Sequence, residues 1–290
     1  MSASPSPRPR SVIVTRLRAA GCVFAEDEAK LLISAARTPT DLAAMVDRRA
    51  AGLPLEYVLG WAGFCGLRIA MDPGVFIPRR RTEFLVRQAA ALARETASPA
   101  HQTASPADQA AALARPPAVV VDLCCGSGAV GAALLAALDR VELYAVDIDP
   151  AAVRCARRNV AAAGGQVYEG DLYRPLPASL RGRVDILAVN APYVPTEEVG
   201  LLPPEARVHE PRVALDGGAD GLDVVRRVIE AAPQWLAAGA SLLVETSERQ
   251  APQTAETVAR YGLVPRVASS DELNAFVVIG ERPARPRGPG

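Results

Sequence analysis

Several residue types that usually announce a function are scarce in this chain. Only two histidines occur, His101 and His209, and Lys30 is the only lysine. The five cysteines (Cys22, Cys65, Cys124, Cys125 and Cys155) form an odd set with no C-x-x-C pair. That argues against a zinc site and a disulfide framework, and it fits a reducing compartment. No run of eighteen apolar residues is present, so no ordinary transmembrane helix is expected. The opening MSASPSPRPR lacks the apolar core of a secretion signal. Net charge is also missing: 32 basic residues balance 32 acidic ones, so no global field draws in nucleic acid or an anionic membrane. With aromatics at only 4%, base-stacking platforms are scarce too. The expectation is a cytoplasmic protein without a metal ion and with no membrane partner, and the composition argues against a nucleic-acid partner.

What is there is an ordinary globular composition, half hydrophobic over 290 residues, enough for one large domain or two smaller ones. Residues 1–10 are rich in Ser, Pro and Arg and read as a disordered tail. Residues 11–60 have helical patterning: FAEDEAKLLISAAR carries its acids early and Arg37 late, and Thr40 or Asp41 can cap a helix that ends at Gly52. Residues 61–81 suggest a β-hairpin linker, with a turn expected at Asp72-Pro73-Gly74. Residues 82–280 form the main domain, interrupted at 95–117 by a small, polar, repetitive stretch read as a flexible insertion. Residues 281–290 read as a second loose tail. In the main domain AVVVDL, LYAVD, QVYEGD, DILAVN, SLLVET and AFVVIG alternate with helix-length segments. Runs apolar on both faces in that rhythm imply a mainly parallel sheet with helices on both sides, an α/β fold. Between the last two runs there is no room for a crossover helix, so an antiparallel pair is expected there.

The first run opens into Cys124-Cys125-Gly126-Ser127-Gly128-Ala129-Val130-Gly131, which matches G-x-G-x-x-G, and Asp147 ends the next run about twenty residues on. This is also the dinucleotide fingerprint, and NAD is one reading. Asp122 favours another. A carboxylate there repels a pyrophosphate but suits the sulfonium and ammonium of S-adenosyl-L-methionine. Glycines still let the backbone approach the ligand closely. Asp147, followed by Ile148, is then placed for the ribose hydroxyls, and Asp171 for the adenine amino group with Leu172 beside the ring.

The fourth run ends ILAVNAPYVPT. A methyl on a sulfonium is already activated, so no covalent enzyme intermediate is required. A planar amino group is nonetheless a poor nucleophile. The Asn190 side-chain oxygen can accept one of its N–H groups and the Ala191 carbonyl the other. Pro192 stiffens the turn, and Tyr193 can stack on the planar acceptor. Positioning of this kind can lower a barrier by about 7–11 kcal/mol.

From about Leu53 to Gly280 the chain resembles the HemK/PrmC family of protein-(glutamine-N5) methyltransferases. The likeness is carried, in order, by PLEYVLG, FCGLRIAMDPGVFIPR, DLCCGSGAVG, AVDIDPAAVRCARRN, EGDLY, VNAPYVP and HEPRVALDGGADGLDVVRRVI. The resemblance implies a class I S-adenosylmethionine-dependent methyltransferase domain with a Rossmann-like seven-stranded sheet, a small helical N-terminal domain that contacts the protein substrate, and a hairpin between them. It also implies that Asn190, Ala191, Pro192 and Tyr193 hold a glutamine side-chain amide, in a peptide chain release factor. Departures are Ala191 for the second residue of Asn-Pro-Pro-Tyr, Cys124 and Cys125 for Gly-Thr, Arg80 and Arg81 for Pro-Asp, and a short helical region. The cysteines read as inert packing and the two arginines as solvated. His101 reads as inert, His209 as a loop residue rather than a general base, and Trp61 and Trp235 as packing. Glu210 can either contact the substrate backbone or brace its loop. Two other readings stay open: methylation of an exocyclic amino group of RNA or DNA, which needs the base flipped out, and a non-catalytic module that binds S-adenosylmethionine.

Overall fold

The computed structural model describes residues 10–97 and 116–284. The readings made for residues 1–9, for 98–115 within the insertion and for 285–290 lie outside the described residues. Four helices come first: α1 (Arg10–Ala19), α2 (Ala25–Ala35), α3 (Pro39–Ala50) and α4 (Leu55–Leu59). Each turns one apolar stripe inward, and Ile13, Leu17, Leu32, Val46 and Val58 close a core of their own. Helix α3 begins earlier than Thr40 or Asp41 would have it. Thr38 is the cap: its hydroxyl accepts from the Asp41 N–H at 3.1 Å, and the Asp41 carboxylate accepts from the Arg37 N–H at 3.0 Å. Pro39 follows at the first helical position, where its missing N–H costs nothing.

The hairpin pairs β1 (Trp61–Phe64) with β2 (Leu67–Ala70). Its turn is Cys65-Gly66 rather than Asp72-Pro73-Gly74. Both turn residues have positive φ, 48° and 76°, as a two-residue turn matching the strand twist requires. The Asp-Pro-Gly triplet turns the chain only after β2 has ended. The hairpin is fastened to the main domain by Asn159, whose Oδ1 accepts from the Ala70 N–H at 2.8 Å. Its Nδ2 donates to the carbonyls of Ala70 at 3.0 Å and Ser127 at 2.8 Å.

The main sheet has seven strands in the order β5-β4-β3-β6-β7-β9-β8. Strands β3 (Ala118–Leu123), β4 (Val141–Asp147), β5 (Gln166–Glu169), β6 (Val184–Val189) and β7 (Leu236–Thr246) are parallel. Strand β9 (Ala275–Glu281) runs antiparallel to both β7 and β8 (Val264–Ser270), with no helix between the last two strands. Alternate residues serve opposite layers. Val120 and Ile186 pack with helices α5 (Glu83–Ala97), α6 (Ala129–Ala137) and α7 (Pro150–Val160). Val121, Leu187 and Val244 pack on the other face, with the helices at Asp223–Ala231 and Ala251–Arg260. The carboxyl ends of β3, β4, β5 and β6 are adjacent, so the segments after Leu123, Asp147, Glu169 and Val189 converge on one rim, where ligands bind in such sheets. No helix among the described residues is long and apolar enough to cross a membrane.

One buried ion cluster joins the helical unit to this rim. The Arg49 side chain is 7% exposed and binds both carboxylate oxygens of Glu28, at 2.6 and 3.0 Å. It also donates to the Leu53 carbonyl at 3.1 Å and to Glu205 at 2.6 Å. Glu205 lies in the short helix Pro204–His209 beside the rim. Arg49→Ala strands Glu28 as an unpaired buried charge, which should destabilise the protein by about 3–5 kcal/mol in equilibrium denaturation; a loss below about 1 kcal/mol would show the cluster to be dispensable.

Candidate active site

A cleft of about 660 Å³ runs along the rim. Cys124, Cys125, Gly126, Ser127, Asp147, Ile148, Asp171, Leu172 and Asn190 line one half. Ala191, Pro192, Tyr193, Arg81 and Thr82 line the half beyond Asn190. Of the residues singled out for a cofactor, Asp122 and Gly128 are not in the lining.

Both sit directly behind it. Gly128, at φ 76°, caps α6, and a Cβ there would come within 3.0 Å of the Ala156 Cβ, so its bareness lets α6 approach α7. Asp122 is 2% exposed and accepts from the Gly131 N–H at 2.9 Å. Burial pushes its carboxyl up to about 7, against the pull of that bond and with the charge of Asp147 adding to the rise. Asp147 is held from both sides: the Gly126 N–H donates to Oδ2 at 2.8 Å and the Asp149 N–H to Oδ1 at 2.9 Å. Each oxygen keeps a lone pair for a ligand hydroxyl. Asp171 is steered by Arg227, which donates to Oδ2 at 2.6 Å. Arg227 also lines the cleft and was invisible in the sequence because it arrives from the helix Asp223–Ala231. Burial raises the thiols of both Cys124 and Cys125, with the nearby carboxylates adding to it. They stay protonated and serve as packing.

In the other half, Asn190 Nδ2 donates to the Thr82 hydroxyl at 3.3 Å. With the nitrogen turned toward Thr82, Oδ1 is the free end. Among the described residues no protein group donates to Asn190 Oδ1 or to the Ala191 carbonyl. The Tyr193 carbonyl, by contrast, accepts from Gln250 at 3.0 Å. Two glycines close the outer side of this turn: a Cβ on Gly217 would lie 2.6 Å from the Pro192 oxygen, and one on Gly221 would lie 2.3 Å from the Tyr193 oxygen. The Tyr193 hydroxyl donates to Glu245 at 3.4 Å. Burial first, and the Glu245 charge second, push the phenol up to about 12, so it remains a donor. Arg81 is not simply solvated. Its Nε binds the same Glu245 oxygen at 3.4 Å, and its guanidinium lies 5.8 Å from the Tyr193 ring centroid. Glu210 lines the cleft and is bonded to Arg79 at 2.5 Å and to the Ile77 N–H at 3.3 Å, so it braces its loop while facing the site. His209 does not line the cleft. Trp235 is buried against Tyr173, and Trp61 carries Arg68 on its ring. The site thus presents neutral acceptors and a planar ring, and among the described residues its lining holds neither a histidine base nor an activated nucleophile.

The strand order 5-4-3-6-7-9-8 with that rim is the architecture of class I methyltransferases, and a family model described as Methyltransferase small domain matches residues 110–202. The release factor glutamine methyltransferase of Geobacter sulfurreducens is 36% identical over 251 residues, spanning 84% of this chain and 79% of that protein. That of Mycolicibacterium smegmatis is 34% identical over 251 residues, spanning 85% and 82%. The crystal structure of a ribosomal protein L11 methylase from Lactobacillus delbrueckii subsp. bulgaricus superposes with a TM-score of 0.48 at 14% identity, covering 74% of this chain and 85% of that one. The chain belongs to the release factor glutamine methyltransferase family, and its cofactor is S-adenosyl-L-methionine.

The residues present fit that cofactor. Asp147 and Asp171 line the cofactor half, Asp122 lies just behind it, and the glycine loop from Cys124 to Gly128 bears no cationic side chain that would favour a pyrophosphate. A cationic ligand favours the ionised form of Asp122. Because burial holds that group up to about 7, binding at or below this pH should expel a proton. Affinity should therefore rise with pH through that region, by about tenfold between pH 6 and pH 8. Asp122→Asn should flatten the dependence. Calorimetry at the two pH values checks both; an unaltered slope in the variant would assign the proton elsewhere.

Proposed function

We propose that this enzyme methylates the side-chain amide nitrogen of a glutamine in a protein, and that the protein is a peptide chain release factor. One observation carries the reading. Asn190 Oδ1 and the Ala191 carbonyl oxygen belong to adjacent cleft-lining residues and accept no hydrogen bond from the described residues, while Thr82 bonds the nitrogen of the Asn190 amide. Two neighbouring acceptors suit the two N–H groups of one primary amide. The names of the relatives agree with this acceptor.

The cofactor, when bound, supplies a methyl group already activated on a sulfonium. What the chain must do is present a weak nucleophile in the right attitude, with the proton that the nitrogen sheds on methylation passing to solvent. Asn190 and Ala191 take the two N–H groups of the amide and so fix its plane. The Tyr193 ring covers one side and excludes water. Neither residue needs to ionise. The helical unit, tied by Arg49 to the cleft wall at Glu205, is proposed to contact the protein substrate. Its exposed Phe24 and the exposed Leu201 and Val208 near the cleft are apolar surface of the kind protein partners cover. Action on a release factor implies a cytoplasmic enzyme.

Incubation with labelled donor, release factor and total RNA tests the reading: label should enter the release factor, and label confined to RNA would overturn it. Asn190→Ala should lower kcat by roughly 10²–10³ with little effect on donor affinity, comparable to removing one preorganised polar contact from a catalytic site. Asn190→Asp should also be slow, since a carboxylate beside the donor competes with the acceptor for its charge. Ala191→Pro should be tolerated, because only the carbonyl is used there.

A further inference from the structure

Glu245 was not among the residues singled out from the sequence, and it does not line the cleft. It is the next-to-last residue of strand β7, is 2% exposed, and its Oε2 is buried with no hydrogen-bond partner in good geometry among the described residues. A buried carboxylate with one empty oxygen is a costly choice at a strand end where Leu242, Leu243 and Val244 precede it. The other oxygen, Oε1, is where two walls of the acceptor pocket meet. Tyr193 reaches it from the loop after β6, and Arg81 from the turn before α5. Thr82, next to Arg81, lies on the same side, and its hydroxyl and the Arg81 guanidinium oppose the rise that burial imposes on the Glu245 carboxyl. The Thr82 hydroxyl in turn holds Asn190. Both side chains that handle the acceptor amide, Asn190 and Tyr193, therefore rest on a patch organised around one carboxylate.

We propose that Glu245 is a positioning residue for methyl transfer: its carboxylate, balanced by Arg81, sets the Tyr193 phenol and the Thr82–Asn190 pair at the angle the acceptor amide requires. The role rests on the amide-methylation reading for the identity of the acceptor. It also explains Arg81. With a buried Glu245 behind it, a cation at this position neutralises the charge, and the same guanidinium steadies the Tyr193 ring by lying over it. Exchange of Glu245 for glutamine keeps shape and volume but weakens the bond to the phenol and leaves Arg81 without its counter-charge.

The test compares wild type, Glu245→Gln, Tyr193→Phe and the double variant, each as the full chain, by steady-state methyl transfer to a release factor and by calorimetric binding of S-adenosylmethionine. Glu245→Gln should lower kcat by about tenfold or more, leave donor affinity within about twofold, and lose part of its effect in the Tyr193→Phe background, since residues sharing one hydrogen bond are coupled. Losses that multiply in the double variant would overturn the role. So would a Glu245→Gln protein that no longer binds the donor, because Glu245 would then support the fold at large. A wild-type enzyme that labels no glutamine amide would instead overturn the functional reading, and this role with it.

Discussion

The 3.3 Å bond from Asn190 Nδ2 to the Thr82 hydroxyl is the contact on which the acceptor half depends. A side-chain amide is nearly symmetric in shape but opposite in chemistry at its two ends. Whichever end is tethered decides whether the cleft sees a donor or an acceptor. Here the nitrogen is tethered, so the cleft sees oxygen. With the Ala191 carbonyl next in the chain, the pair can accept both hydrogens of a primary amide, whereas the reversed arrangement would repel it. Since an amide nitrogen has its lone pair delocalised, orientation is the main help an enzyme can give it.

The fold supplies that orientation by convergence rather than by local sequence. Parallel strands bring the glycine loop, Asp147, Asp171 and Asn190 to one rim. The turn through Asn190 and Tyr193 is then clamped from outside by Gly217, Gly221 and Gln250, and from inside by Thr82 and Glu245. At the far end, Arg49 ties the helical unit to Glu205. Asn159 does the same between the hairpin and Ser127 of the glycine loop.

Much of this was legible in the sequence, and the reason is that it is local. Apolar runs such as AVVVDL and DILAVN show their strand character in themselves, and the glycine loop, Asp147 and the Asn190–Tyr193 turn each lie within a few residues of a strand end. What stayed hidden is carried by pairs far apart in the chain. Thr82 and Asn190 are 108 residues apart, Arg81 and Glu245 164, and Arg49 and Glu205 156. Arg81 read as solvated because nothing near it in sequence asks for a cation; its partner is brought in by strand β7. The hairpin turn was misplaced because Asp-Pro-Gly is a stronger local signal than Cys-Gly, although only Cys65-Gly66 falls between strands of matching register. Asp122 read as a contact of the cofactor from its charge at the strand end; its bond to the Gly131 N–H goes with a position outside the cleft lining.

The central claim is that this site orients a neutral amide and needs no base or nucleophile of its own. The most direct measurement is fragmentation mass spectrometry of a release factor after turnover with isotopically labelled donor. The account predicts a single labelled methyl group on the side-chain nitrogen of one glutamine. A label on a lysine, a carboxylate or a nucleobase would contradict it.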